Sequence, residues 1–207
     1  MQVETLFFLV ILIFSIIIHE IAHGYMAEWF GDPTARLAGR LTLNPVPHID
    51  PLGSIIVPAL MLFGSGGSFA FGWAKPVPYN PYNLSNFKWG TVLVGLAGVL
   101  ANLTLAVIFG LMLRFNTELG ISPGPFAEML ATIVFLNIVL AVFNMIPFPP
   151  LDGAKVLFAF LPVRFQYIHD YLEQNWLIFI VFVIFFARYI IWPISSFIFS
   201  MITGVGL

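Results

Sequence analysis

Cysteine is missing from this 207-residue chain, which removes disulfides, thiolate metal ligands and cysteine nucleophiles together. Charge is scarce as well: Asp, Glu, Lys and Arg make up 9% of the residues, and a net charge of −2 leaves no basic footprint for nucleic acid. The N-terminus, Met1-Gln2-Val3-Glu4, lacks the basic region that opens a secretory signal peptide, so the first apolar run is expected to be retained. Any metal in this protein must be held by His, Asp or Glu. Hydrophobic residues take the space that charge leaves. At 60% of the chain they exclude a soluble globular composition and indicate a polytopic α-helical membrane protein.

The expected architecture is one membrane domain over 1–207, with spans of about 20 residues where the apolar runs allow them. A first span covers 5–30, a second 90–113 and a third 126–147, and these three form the core. Between the first two, 31–88 is expected to be a small membrane-associated β/re-entrant region. Arg36 to Leu43 alternates like a strand, Phe69 to Val77 is extended between glycine and proline, and Ser54 to Phe63 is apolar but too short to cross. A polar segment over 148–175 leads to a kinked C-terminal stretch over 176–203. Arg188 and Trp192-Pro193 interrupt that stretch, so a single span to about Tyr189 followed by a kinked or interfacial segment is expected. The total is about four transmembrane helices, or five if the last stretch divides.

Six of the eight basic residues (Arg36, Arg40, Lys75, Lys88, Lys155 and Arg164) follow the first or third span. The positive-inside rule then puts those connections in the cytoplasm and the N-terminus outside.

Against this background His19-Glu20-Ile21-Ala22-His23 is conspicuous, because a helix carries its two imidazoles one turn apart on one face, where both can bind a single zinc. His19 follows fourteen uncharged residues, about 20 Å of helix in a hydrocarbon core of about 30 Å. The metal is therefore expected inside the bilayer, toward its cytoplasmic side. A catalytic zinc site usually takes a third protein ligand and leaves the fourth position to water. Asp152 is the candidate. Prolines at 147, 149 and 150 end the third span just before it, at the depth where the first span presents His19 and His23. An Asp-Gly turn at a helix end is the plainer reading of Asp152-Gly153. Glu20 is placed to act as general base on a zinc-activated water.

Three sequence signals together resemble the site-2 protease family of intramembrane zinc metalloproteases: HExxH in a first core span, Gly98-x-x-x-Asn102 in a second, and Asn144-x-x-Pro147-x-Pro149-x-x-Asp152-Gly153 at the end of a third. Gly39 to Pro45, His48 to Gly53 and Gly72 to Pro78 are similar to its compact prokaryotic branch, which lacks PDZ and nucleotide-sensing domains. The resemblance implies a three-helix protease core plus a C-terminal span, with Zn2+ held by His19, His23 and Asp152 and Glu20 as base. It implies a transmembrane protein as substrate and a prokaryotic plasma (inner) membrane as the location. It also makes Asn144 a candidate oxyanion donor, while Asn102 is a candidate substrate-binding or regulatory residue that otherwise organises helix packing. Interhelical hydrogen bonding is the alternative for Asn137 and Asn144.

His48 and Asp50 either stabilise a turn or give His48 a regulatory or transient ligand role. Phe69, Ala70, Phe71 and Gly72 open a segment that could pair with an unwound substrate as an added strand; an ordinary proline-rich connector is the other reading. His169 reads as a solvated histidine. Two other functions compete with the peptidase, a metal-ion transporter and a non-catalytic membrane scaffold.

Overall fold

Helix boundaries in the computed structural model fall where the sequence supplies a cap, a glycine or a proline. The structure describes residues 2–64, 66, 72–116, 118–121, 124–183, 185 and 188–206. Helix α1, Gln2–Trp29, stops ahead of Gly31, whose φ of +99° suits only glycine, and of Pro33. A single helical turn, α2, follows at Thr34–Leu37, and α3 occupies Val57–Gly64. Helix α4, Phe87–Arg114, starts where the Asn86 side chain accepts the Trp89 N–H at 3.0 Å. Helix α5, Pro125–Asn144, has proline in its first turn, where no N–H is needed, and ends ahead of the prolines that follow Ile146. Among the described residues, four shorter α-helices follow: α6 Asp152–Phe160, α7 Gln166–Gln174, α8 Trp176–Phe182 and α9 Arg188–Thr203.

Among the described residues all regular secondary structure is helical, and α1 from Glu4, α4 and α5 are long and apolar enough to cross a membrane. It is an integral membrane protein. Leu6, Leu9 and Ile13 on α1 point outward, as a lipid-facing surface requires. Contacts of α1 with α4 run from His23 and Val94 to His19 and Asn102, so the two helices are antiparallel. Helices α4 and α5 are antiparallel as well, joined at Asn102 and Asn137. Ala106, Val134, Ile138, Val142 and Phe199 form the apolar centre where α4, α5 and α9 meet. Arg114 closes this end by donating from Nη1 to the Met201 carbonyl at 3.1 Å in the last turn of α9.

Two expectations are corrected. No strand forms over Arg36–Leu43: Thr34–Leu37 is helical, and Gly39 turns the chain with φ of +66°. The C-terminal stretch does not end its helix near Tyr189. Helix α9 begins at Arg188 and runs through Pro193, whose neighbours tolerate the lost backbone bond. The segment from Ser54 to Phe63 lies in a wide helical turn at Pro51–Ile56 and in α3, with Ile55, Leu60 and Phe63 exposed. From Gly72 to Tyr79 the chain has no regular secondary structure.

Asp32 ties this connection to α1. Fully buried, it accepts hydrogen bonds from Thr34 Oγ1 at 2.5 Å, the Asn80 N–H at 2.6 Å and Asn83 Nδ2 at 2.8 Å. Burial pushes its carboxyl up, but these donors more than offset it and hold the group below the ordinary carboxylate range.

Candidate metal centre

His19 and His23 sit one turn apart on α1, and Asp152 opens α6; all three are 5–6% exposed. The His19 and His23 Nε2 atoms lie 2.9 and 3.1 Å from Asp152 Oδ2. The aspartate reaches them because the chain reverses between Asn144 and Asp152 and α6 then packs back onto α4. Gly153 lies so close to the Met145 and Ile146 carbonyls that a side chain there has no room. Gly98 plays the same part for His19: a Cβ at this position would stand 2.5 Å from the imidazole Cε1 and Nε2.

Hydrogen bonds fix which ring nitrogen carries the proton. His23 Nδ1 lies 2.6 Å from the Val94 carbonyl, which can only accept, so Nδ1 is the donor. For His19 the assignment starts at the Ile133 carbonyl, which accepts from Asn137 Nδ2 at 2.9 Å. Asn137 Oδ1 then accepts from Asn102 Nδ2 at 2.9 Å, which leaves Asn102 Oδ1 to accept from His19 Nδ1 at 2.6 Å. With Nδ1 as the donor, each ring in its neutral form presents its Nε2 lone pair to the space beside Asp152 Oδ2, whereas a protonated ring donates to that oxygen instead. Three acceptors converging in a buried space fit a cation and little else. Tetrahedral zinc bonded at about 2.0–2.2 Å holds its donors roughly 3.3–3.5 Å apart. Closing the small difference from the observed separations needs only a few tenths of an ångström of movement.

Lys155 completes the surroundings of the aspartate. Its Nζ donates to Asp152 Oδ1 at 2.9 Å, so Oδ1 is engaged and Oδ2 alone faces the histidines. In the sequence Lys155 stands out only as a basic residue of the cytoplasmic side, and its i,i+3 spacing to Asp152 is the signal that points to this contact. Glu20 is partly buried, and its Oε2 accepts the Val77 N–H at 2.8 Å.

The other candidates lie elsewhere or do other work. Asn102 joins the packing of α4 and α5 to the orientation of His19. Asn144 Nδ2 donates to the Leu140 carbonyl of its own helix at 2.9 Å, so an oxyanion role requires it to leave that bond. His48 is buried with Nε2 2.9 Å from the Thr42 carbonyl and stands outside the histidine–aspartate cluster. Asp50 accepts from the Leu52 and Gly53 N–H groups and so caps a turn. Phe69, Ala70 and Phe71 lie outside the described residues, while Gly72 packs on the Gly53 carbonyl and Pro58. His169 belongs to a second, exposed group with Asp170 and Glu173 on α7.

Two imidazoles and a carboxylate beside a glutamate, all carried by membrane-length helices and their connections, define a metallopeptidase of the membrane. Comparison with known proteins gives the family: the chain belongs to peptidase family M50, whose model matches residues 118–187. It is 35% identical over 205 residues to "Putative zinc metalloprotease YwhC" of Bacillus subtilis, covering 92% of this chain and 86% of that one. It is 33% identical over 144 residues to "Putative zinc metalloprotease Rip2" of Mycolicibacterium smegmatis, covering 69% of this chain and 52% of the relative. A match to "Zinc metalloprotease MJ0392" of Methanocaldococcus jannaschii is 24% identical over 159 residues and covers 77% and 35%. No solved structure matches the chain. The protein is a zinc metalloendopeptidase.

Proposed function

We propose that this protein hydrolyses a peptide bond within the transmembrane segment of another membrane protein. His19, His23 and Asp152 hold the zinc, and Glu20 takes a proton from the attacking water and returns it to the leaving amine. Zinc bound to these residues supplies Lewis acidity that activates the water and the scissile carbonyl. The observation that carries this reading is the burial of all three donors, at 5–6% exposure, among helices of membrane length. A site reached from bulk water has no need of a charge-free helix around it.

A substrate helix keeps its carbonyls in backbone hydrogen bonds and must unwind before attack. The connection between α1 and α4 leaves α1 on the side to which His19 and His23 lie nearer, and its basic residues Arg36, Arg40 and Lys75 support an N-terminus outside and a site toward the cytoplasm. A plasma-membrane location follows from the compact prokaryotic resemblance.

The test uses a single-span helix with a central Asn-Pro, labelled with a fluorophore and a quencher and reconstituted with the zinc-loaded protein in phosphatidylethanolamine and phosphatidylglycerol vesicles. Glu20→Gln should keep the wild-type zinc content and lose about 10²–10⁴-fold in cleavage rate. Cleavage undiminished in Glu20→Gln, or zinc flux across the vesicle in place of cleavage, rejects the proposal.

A further inference from the structure

Glu20 is oriented by the chain's own backbone. In Lys75-Pro76-Val77-Pro78-Tyr79 the two prolines have no N–H, so Val77 carries the only backbone donor between Lys75 and Tyr79. That donor goes to Glu20 Oε2 at 2.8 Å.

The segment is held on both sides of this contact. Upstream, the Trp73 N–H donates to the Gly53 carbonyl at 3.0 Å and the Lys75 N–H to the His48 carbonyl at 2.9 Å. The Lys75 carbonyl accepts from buried Arg40 Nη2 at 2.6 Å. Downstream, the Asn80 N–H is bound to Asp32. Val77 itself is 5% exposed and sits against Gly24, one helical turn beyond Glu20. A Cβ on Gly24 would come within 2.9 Å of Val77 Cγ1, so the glycine makes the seat that brings the N–H to the carboxylate.

We propose that the Val77 N–H is a positioning group for the general base: it anchors Oε2 of Glu20 and leaves Oε1 to exchange the proton with water. An unanchored glutamate samples several rotamers, and only some aim an oxygen at the reacting water. The inference rests on the assignment of Glu20 as base. It also gives His48 and Arg40 a role, since both act through the Lys75 peptide groups that flank the segment.

An amide-to-ester exchange at residue 77, made by incorporating 2-hydroxy-3-methylbutanoate, removes this donor and leaves the side chain in place. In the vesicle assay the ester should lower kcat by about 10–100-fold, with KM within about twofold and zinc content unchanged. Gly24→Ala, which displaces Val77 while keeping its N–H, should give the same split to a lesser degree. A kcat that stays the same, a rise in kcat marking the contact as a block on the base, or a loss of zinc in step with activity overturns the proposal.

Amide exchange tests the contact without any cleavage. In Glu20→Ala the Val77 N–H should exchange at least about tenfold faster while the Lys75 N–H, bound to the His48 carbonyl, holds its rate. Equal rates at Val77 in the two proteins overturn the contact. Faster exchange combined with an inert wild-type enzyme rejects the peptidase reading alone.

Discussion

Lys155 illustrates what a residue's neighbours add to its type. As a letter in the sequence it is one of eight basic residues and serves only to orient the chain. In the fold it occupies one oxygen of Asp152 and commits the other to the histidines. Lys155→Met should therefore weaken zinc binding about tenfold, measured by competition with a chromogenic chelator, and Lys155→Arg should recover most of the loss. The histidine spacing was legible because helical periodicity alone puts residues 19 and 23 on one face. Asp152 was legible because prolines fix where α5 must stop. The orientation of His19 by Asn102 and Asn137 was not, since it depends on the register of α4 against both α1 and α5. Each asparagine could be read as an interhelical donor, but no local pattern names its partner.

At the scale of elements, α4 is the helix the site is built against. Small residues let it approach its neighbours closely, and Gly98 leaves the room that the His19 ring occupies. Gly98→Ala should force the ring or the whole of α1 outward. A loss of about 10–100-fold in zinc affinity and of about 1–3 kcal/mol in stability is expected, read by zinc competition and by unfolding in mild detergent. The three long helices were readable because hydropathy and length are properties of local sequence. Alternation over Arg36–Leu43 suggests a strand, but over so few residues it cannot be told from a helical turn and a glycine bend, which is what forms there. Asp32 ties the two ends of this connection together through Asn80 and Asn83, which lie 48 and 51 residues away and which no local pattern names. Similarly, Pro193 suggests a helix end by itself, yet packing of α9 against α4 and α5 carries the helix through it.

Across the whole molecule, Asp32 links the end of α1 to the segment leading into α4, and so holds the donor-bearing helix in place. Its carboxyl titrates lower when folded than in the unfolded chain, so its contribution to stability is complete above the ordinary aspartate value of about 3.9 and fades as pH falls toward the folded value. Thermal unfolding of wild type and Asp32→Asn should differ at neutral pH, with the gap narrowing below about pH 4. A constant gap down to the most acid pH would mean that the hydrogen-bond geometry, and not the charge, supplies the stability.

The proposed zinc donors have a further consequence in biosynthesis. His19 and Asp152 stand 133 residues apart in the chain. A ribosome adding roughly 5–20 residues per second takes about 7–27 s to pass from one to the other. For an interval of that length the nascent chain contains HExxH but lacks the aspartate of the proposed metal site. With the proposed donor set, the peptidase centre is complete only once α6 has folded back onto α4, so a chain stopped before that point should bind zinc weakly and be inactive.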